Sequence, residues 1–268
     1  MTRKPTFPAE ITGLRRTVPA PAKPAAGPVA KSFAPARLET ARPVAAQVQA
    51  TGLDFNAHRA RMVQRLAGGG IGEARVLRAM GAVERHRFID TALATQAYED
   101  TSLPIGLAQT ISKPSVVARM AELLCASLAG QPGQRLGRVL EIGTGCGYQA
   151  AILSHLATEV YSIERLKALH EKARDNLRHF RLPNVHLLLG DGMAGFAQGA
   201  PYAGIIAAAG GQSVPTAWID QLALGGRLVA PVLRGEQQAL VVIDKGLQGI
   251  TQTVLEAVHF VPLKSGLA

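Results

Sequence analysis

From Gly137 onward the chain repeats one unit, a short apolar run followed by a segment with helical spacing. The runs are "RVLEIG" at 138–143, "EVYSIE" at 159–164, "VHLLLGD" at 185–191, "AGIIAAAG" at 203–210 and "GRLVAPV" at 226–232, and helical patterns occupy 147–157, 165–180 and 215–223. A strand with one solvated face alternates apolar and polar residues. Runs without that alternation predict strands buried on both faces, as in a parallel sheet between two layers of helices. "QALVVID" at 238–244 and "VLEAVHFVPL" at 254–263 have no helix between them and predict a closing antiparallel pair. The expected fold is α/β, doubly wound about a mostly parallel, seven-stranded sheet.

Ahead of this lies a helical preface. "DFNAHRARMVQRL" at 54–66 sets Phe55, Met62 and Leu66 on one helical face and "GGG" at 68–70 ends it; a second helix is predicted over 72–82 and a third over 115–127. Between the last two, "LPIGLAQTISKPS" at 103–115 carries Pro104, Gly106 and Pro114, which forbid a regular helix or a central strand. A stiff, irregular segment there would hold the hydroxyls of Thr110 and Ser112.

Charge and proline concentrate at the other end. Residues 1–50 contain eight of the sixteen prolines and eight Lys/Arg against only Glu10 and Glu39, which accounts for +6 of the net +10. Such a segment buries too little apolar surface to offset the entropy of ordering and reads as a disordered basic Pro/Ala-rich arm, leaving 51–268 as the folded domain. The arm could touch nucleic acid, although nothing else in the sequence supports it. The two cysteines, Cys125 and Cys146, form no C-x-x-C pair, and no histidine stands at metal-ligand spacing from them, so no metal site is expected. No apolar run approaches the roughly 18 residues of a membrane span. A cytoplasmic protein with reduced thiols is expected.

"VLEIGTGCGYQAA" at 139–151 places Gly143, Thr144, Gly145 and Gly147 between a buried strand and a helix start, where glycines permit a tight turn and let a ligand approach the backbone. A glycine loop alone is ambiguous. Here the spacing is G-x-G-x-G, and Glu141 precedes the first glycine by two residues, a poor position beside a pyrophosphate but a good one beside a cation. Glu164 ends the second strand, 21 residues after Gly143, where doubly wound folds place the acid that accepts ribose hydroxyls; Asp191-Gly192 ends the third. Three acids and no phosphate-binding cation describe a site for a positive, phosphate-free nucleoside. S-adenosylmethionine fits that description and NAD does not.

In this order "RHRFI", "AYEDTSLPIGLAQTISKP", "VLEIGTGCGYQAA", "VYSIE", "GDG", "GGRLVAPV" and "FVPL" resemble the protein-L-isoaspartate O-methyltransferase family from about residue 55 to 263. The "PIG-x-x-QTIS-x-P" segment is the specific part, since the glycine loop would name only the superfamily of S-adenosylmethionine-dependent methyltransferases. The resemblance implies methyl transfer to the free carboxylate of L-isoaspartyl residues in damaged proteins and peptides, initiating repair through a succinimide. It assigns the active-site serine to Ser112 and a supporting role to Thr110. Cofactor contacts fall on Glu141, Gly143, Gly145, Glu164, Asp191 and Gly192, and the family's C-terminal glutamine on Gln238.

Taken locally, Ser112 has a second reading, as N-cap of the helix expected near Ser115. The sequence also departs from the family at Ala108, where glycine is common, and at Lys113, where glutamine is common; Lys113 is expected to face solvent. His86, Cys146 and Trp218 are expected to pack rather than react. A methyltransferase acting on nucleic acid or a small molecule is the alternative function, but "AAAGGQ" after the fourth strand lacks the Asn/Asp-Pro-Pro-aromatic turn of base-amino methylation. A cofactor-binding regulatory module is a third reading, opposed by the intact "QTIS" segment.

Overall fold

A computed structural model describes residues 54–128 and 134–268. The arm expected over 1–50 lies outside the described residues.

The preface begins with α1 (Phe55–Gly68) and α2 (Ala74–Ala82). Asp54 caps α1 by accepting the N–H groups of Asn56 and Ala57, each at 3.0 Å, and Glu73 caps α2 through Arg75 N at 3.0 Å. Two 3₁₀ turns, Arg85–Phe88 and Thr91–Gln96, follow. His86 packs, as expected: its ring stacks on Phe55 with centroids 4.2 Å apart and its Nδ1 lies 2.8 Å from the Tyr98 hydroxyl.

The segment with the two hydroxyls is more regular than its prolines suggest. It forms a separate antiparallel hairpin, β1 (Leu103–Gly106) and β2 (Gln109–Ile111), standing off the main sheet. Leu103, Ile105 and Ile111 are buried and root it in the core, while Pro104 and Thr110 are paired and exposed. Then α3 (Pro114–Cys125) starts on Pro114, one residue earlier than the sequence pattern indicates, because proline at the first helical position needs no hydrogen bond for its nitrogen.

The main sheet is built from β3 (Leu136–Ile142), β4 (Ala157–Glu164), β5 (Val185–Leu189), β6 (Tyr202–Ala207), β7 (Leu222–Arg234), β8 (Gln237–Gly246) and β9 (Gly249–Val258), with α4 (Tyr148–Ser154), α5 (Lys167–Arg178) and α6 (Thr216–Gln221) between strands. Its order is β5-β4-β3-β6-β7-β8-β9, parallel as far as β7 and antiparallel through β8 and β9. This is the doubly wound, mostly parallel sheet of seven strands that the apolar runs predict. The order reverses between β3 and β6, which opens a crevice beyond their carboxyl ends.

Two expectations need correction. β5 is an edge strand and only half-buried, although its sequence is as apolar as its neighbours. The last strand stops at Val258 rather than running through "FVPL". Phe260 is instead tied to Gln238, whose side-chain amide accepts from Phe260 N at 2.8 Å and donates to Phe260 O at 3.1 Å. The chain then turns toward the crevice, bonded to Gly210 through Val261 O and Leu263 N at 2.9 and 2.8 Å.

Candidate active site

At the switch point lies a cavity of about 440 Å³, a size suited to a small ligand. Among the pieces of chain that line it are the β1–β2 hairpin, the glycine loop after β3, the turns after β4, β5 and β6, and the segment Val261–Lys264. All three loop glycines take positive φ, 90° at Gly143, 57° at Gly145 and 91° at Gly147, which a side chain would oppose. Gly192 is required for a different reason, since a Cβ there would sit 2.6 Å from Ile142 Cγ2. Trp218 fixes that turn from beneath, donating from Nε1 to Gly192 O at 2.8 Å.

Of the residues anticipated from sequence, Thr110, Ser112, Gly143, Thr144, Gly145, Glu164 and Gly192 line this cavity. Glu141, Gly147 and Asp191 stay outside its lining. Glu141 is 0% exposed; Ser162 donates to its Oε2, and Ser162 Oγ lies 2.6 Å from Thr144 Oγ1. Burial pushes its carboxyl up to about 8, with the hydrogen bond from Ser162 and the neighbouring Gln149 amide opposing the rise. Asp191 caps its own turn through Met193 N at 2.9 Å and accepts from Gly266 N at 2.7 Å, so its carboxylate ties the C-terminal segment to the sheet edge. Glu164 is held in place by two backbone donors, Gly145 N and Leu166 N, each at 2.9 Å.

The hairpin overhangs the cavity with its backbone braced by Lys172, whose Nζ donates to Ile105 O at 2.8 Å. Leu107 and Ala108 at its tip have φ of 53° and 55°, a conformation L-residues adopt at a cost. Cys146 is buried in the loop, where desolvation raises its thiol to about 11, so it supplies backbone and not a nucleophile.

A second and larger cavity, about 1150 Å³, meets the hairpin segment at Ser112, just beyond β2. Arg65, Lys113, Arg119 and Glu236 are among its lining residues, and so are Gln238 and His259. Gln238 therefore belongs to this cavity and to Phe260, not to the smaller one. Lys113 is exposed, as expected, on the wall of this groove. Ser112 is the single residue that lines both cavities.

Sequence reading passed over Gln149, Arg165 and the 261–264 segment, all of which line the smaller cavity. The available signal was the lone amide of Gln149 in "GYQAAIL", a stretch otherwise apolar and wholly buried.

The family profile of protein-L-isoaspartate(D-aspartate) O-methyltransferases matches residues 57–268. The chain belongs to that family. A protein-L-isoaspartate O-methyltransferase from Methylibium petroleiphilum is 61% identical over 218 residues, 80% of each chain. One from Leptothrix cholodnii is 57% identical over 231 residues, covering 85% of this chain and 80% of the relative. Among solved structures, a protein-L-isoaspartate O-methyltransferase superposes with a TM-score of 0.69 at 26% identity, covering 78% of this chain and 67% of the other. A Plasmodium falciparum chain described as the same methyltransferase, in complex with S-adenosyl-L-homocysteine, gives a TM-score of 0.67 at 24% identity, over 77% of this chain and 98% of the other. As a protein-L-isoaspartate(D-aspartate) O-methyltransferase family member, the chain carries Thr110 of its "QTIS" segment in the lining of the smaller cavity and Ser112 in the lining of both. Among the described residues no three His, Cys, Asp or Glu side chains gather as a metal site, and no helix is long and apolar enough to cross a membrane.

Proposed function

We propose that this protein transfers a methyl group from S-adenosylmethionine to the free carboxylate of L-isoaspartyl residues in proteins and peptides. The observation that carries the reading is the meeting of two cavities at Ser112, one of small-ligand size beneath the glycine loop and one broad enough for a peptide segment.

The smaller cavity fits the donor on its own chemistry. Its lining includes Glu164, Thr110 and Ser112, together with Gln149, whose buried Nε2 has no hydrogen-bond partner. No lysine or arginine cradle of the kind a pyrophosphate needs is built from the glycine loop. S-adenosylmethionine, when bound, supplies an electrophilic methyl group on a sulfonium. Glu164 would hold the ribose hydroxyls, and the backbone of Gly143, Thr144 and Gly145 would approach closely.

The acceptor needs no base. A carboxylate with a pKa of about 4 is already ionised at neutral pH, so the protein's task is alignment. Ser112 donates its O–H to one oxygen of the substrate carboxylate and so fixes the direction of the other; Thr110 assists from the exposed face of β2. Ile105, Val117 and Ile142 line the inner wall and keep water from competing. Esterification turns the carboxylate oxygen into a methoxide leaving group, which the neighbouring backbone nitrogen displaces to give the succinimide. Two buried free cysteines agree with a reducing, cytoplasmic setting.

Incubating the full chain with radiolabelled donor and a matched pair of peptides, one isoaspartyl and one aspartyl, tests the reading. Label is expected in the isoaspartyl peptide alone, as base-labile methyl ester. Label in both peptides, in neither, or only in added nucleic acid would overturn it.

A further inference from the structure

Most of the charges that line the larger cavity are spent on the protein itself. Asp100 accepts from Ser115 N and Ser115 Oγ, each at 2.8 Å. Arg119 donates to Glu256 at 2.9 Å and to Glu122 at 3.1 Å, which occupies Arg119 and Glu256 together. Arg65 has no acid partner, but its guanidinium is held by Tyr98 O at 2.6 Å. Two exposed charges in the lining, Lys113 and Glu236, make no side-chain hydrogen bond or ion pair among the described residues. Glu236 belongs to the turn between β7 and β8, whereas Lys113 follows Ser112 directly.

The backbone beneath Lys113 is fixed. Its carbonyl accepts Val116 N at 3.1 Å and Val117 N at 3.2 Å as α3 begins, Pro114 follows it, and Val117 is buried in the core. The ammonium therefore moves only on its own four-carbon stem.

We propose that Lys113 is a specificity-determining residue, which selects damaged sites with an acidic side chain next to the isoaspartate. The inference rests on the isoaspartyl reading above. With the lesion's carboxylate held at Ser112, residues of an extended substrate chain succeed one another every 3.3–3.6 Å or so, and Lys113 Cα lies about 3.8 Å from Ser112 Cα. The side chain beside the lesion thus falls within the sweep of the lysine. An ammonium without an internal partner gives up only water to meet a carboxylate, while Arg119 would first have to leave Glu122 and Glu256. Facing a basic side chain the same ammonium repels, so discrimination works in both directions. The pair stays exposed, which makes it modest in strength and sensitive to salt.

Isoaspartyl peptides that differ only in carrying Glu, Gln or Lys beside the lesion test the assignment, in one set varied before the isoaspartate and one varied after it. With the full chain at low ionic strength, kcat/KM is expected to fall in the order Glu, Gln, Lys in at least one set. Each step should be about 2–5-fold, the range of an exposed ion pair, and should arise in KM. Lys113→Gln should narrow that series to within about 2-fold, Lys113→Arg should keep its order, and Lys113→Glu should reverse it. Raising salt to about 1 M, where the screening length is about 3 Å, should flatten the series for the unaltered protein. Equal kcat/KM across both sets, an order that survives Lys113→Gln, or a loss under Lys113→Gln that is the same for every peptide overturns the inference and leaves the isoaspartyl reading intact. An unaltered chain that methylates none of the peptides overturns that reading and this inference together.

Discussion

The carboxylate of Asp100 accepts both the backbone N–H and the hydroxyl of Ser115, each at 2.8 Å. The start of α3 is thus capped from fifteen residues away, and Ser112 makes no side-chain hydrogen bond among the described residues, so it does not serve as the cap. Ser112→Ala should accordingly lower methylation of an isoaspartyl peptide by roughly 10- to 1000-fold while leaving the thermal midpoint and donor affinity nearly unchanged. Asp100→Ala should do the reverse, losing about 1 kcal/mol of stability. A Ser112→Ala protein with full turnover and a lowered midpoint would sink the catalytic role.

Glu164→Ala should weaken donor binding by roughly 1–3 kcal/mol, because two ribose hydroxyls lose a charged acceptor. It should also lower the ligand-free midpoint, since Gly145 N and Leu166 N each lose their partner. Titration calorimetry and thermal scanning on the same variant read the two effects separately. Unchanged affinity in a folded variant would remove Glu164 from the site.

Ala108 holds φ 55° beside Leu107 at 53° in the hairpin tip, and glycine bears that conformation without its steric cost. Ala108→Gly should therefore stabilise the protein by about 1 kcal/mol, less what the more flexible unfolded chain takes back. Chemical denaturation should show a higher midpoint; a midpoint equal to or below that of the unaltered chain would mean the tip is not strained.

Burial raises Glu141 from 4.5 to about 8, so between those values the folded protein holds a proton that the unfolded chain has released. Stability must then fall as pH rises across that window and level off above it. Glu141→Gln removes this slope. Urea midpoints measured from about pH 5 to 9 should show the variant gaining on the unaltered protein as pH increases, and parallel curves would mean that Glu141 is not neutral in the fold.

The parallel core was legible because β3, β4 and β6 are buried on both faces over most of their length, and their sequences record it as apolar runs without regular polar alternation. Its limits were harder to read. "FVPL" looks like more strand because apolar residues that wall a cavity and those that fill a sheet satisfy the same preference for burial. The hairpin was hidden by Pro104 and Gly106, which are tolerated because β1 pairs on one edge only. At the site, Gly143 and Glu164 follow from spacing, while Thr110 and Ser112 follow from the resemblance to the family. Glu141 was correctly singled out as unusual but wrongly brought to the surface of the cavity, since strand periodicity says which face a side chain takes and not what lies over it. Asp191 was seen as a binding acid when its carboxylate holds Gly266.

Two chambers with one lining side chain in common give the two substrates separate seats. A methylated polypeptide, long and still folded around its damaged residue, can be released from the groove while the spent nucleoside remains behind the hairpin and the 261–264 segment. The next damaged protein can likewise dock before a fresh donor arrives. Turnover then need follow no fixed order of arrivals and departures, an arrangement suited to an enzyme whose substrates share a lesion and nothing else.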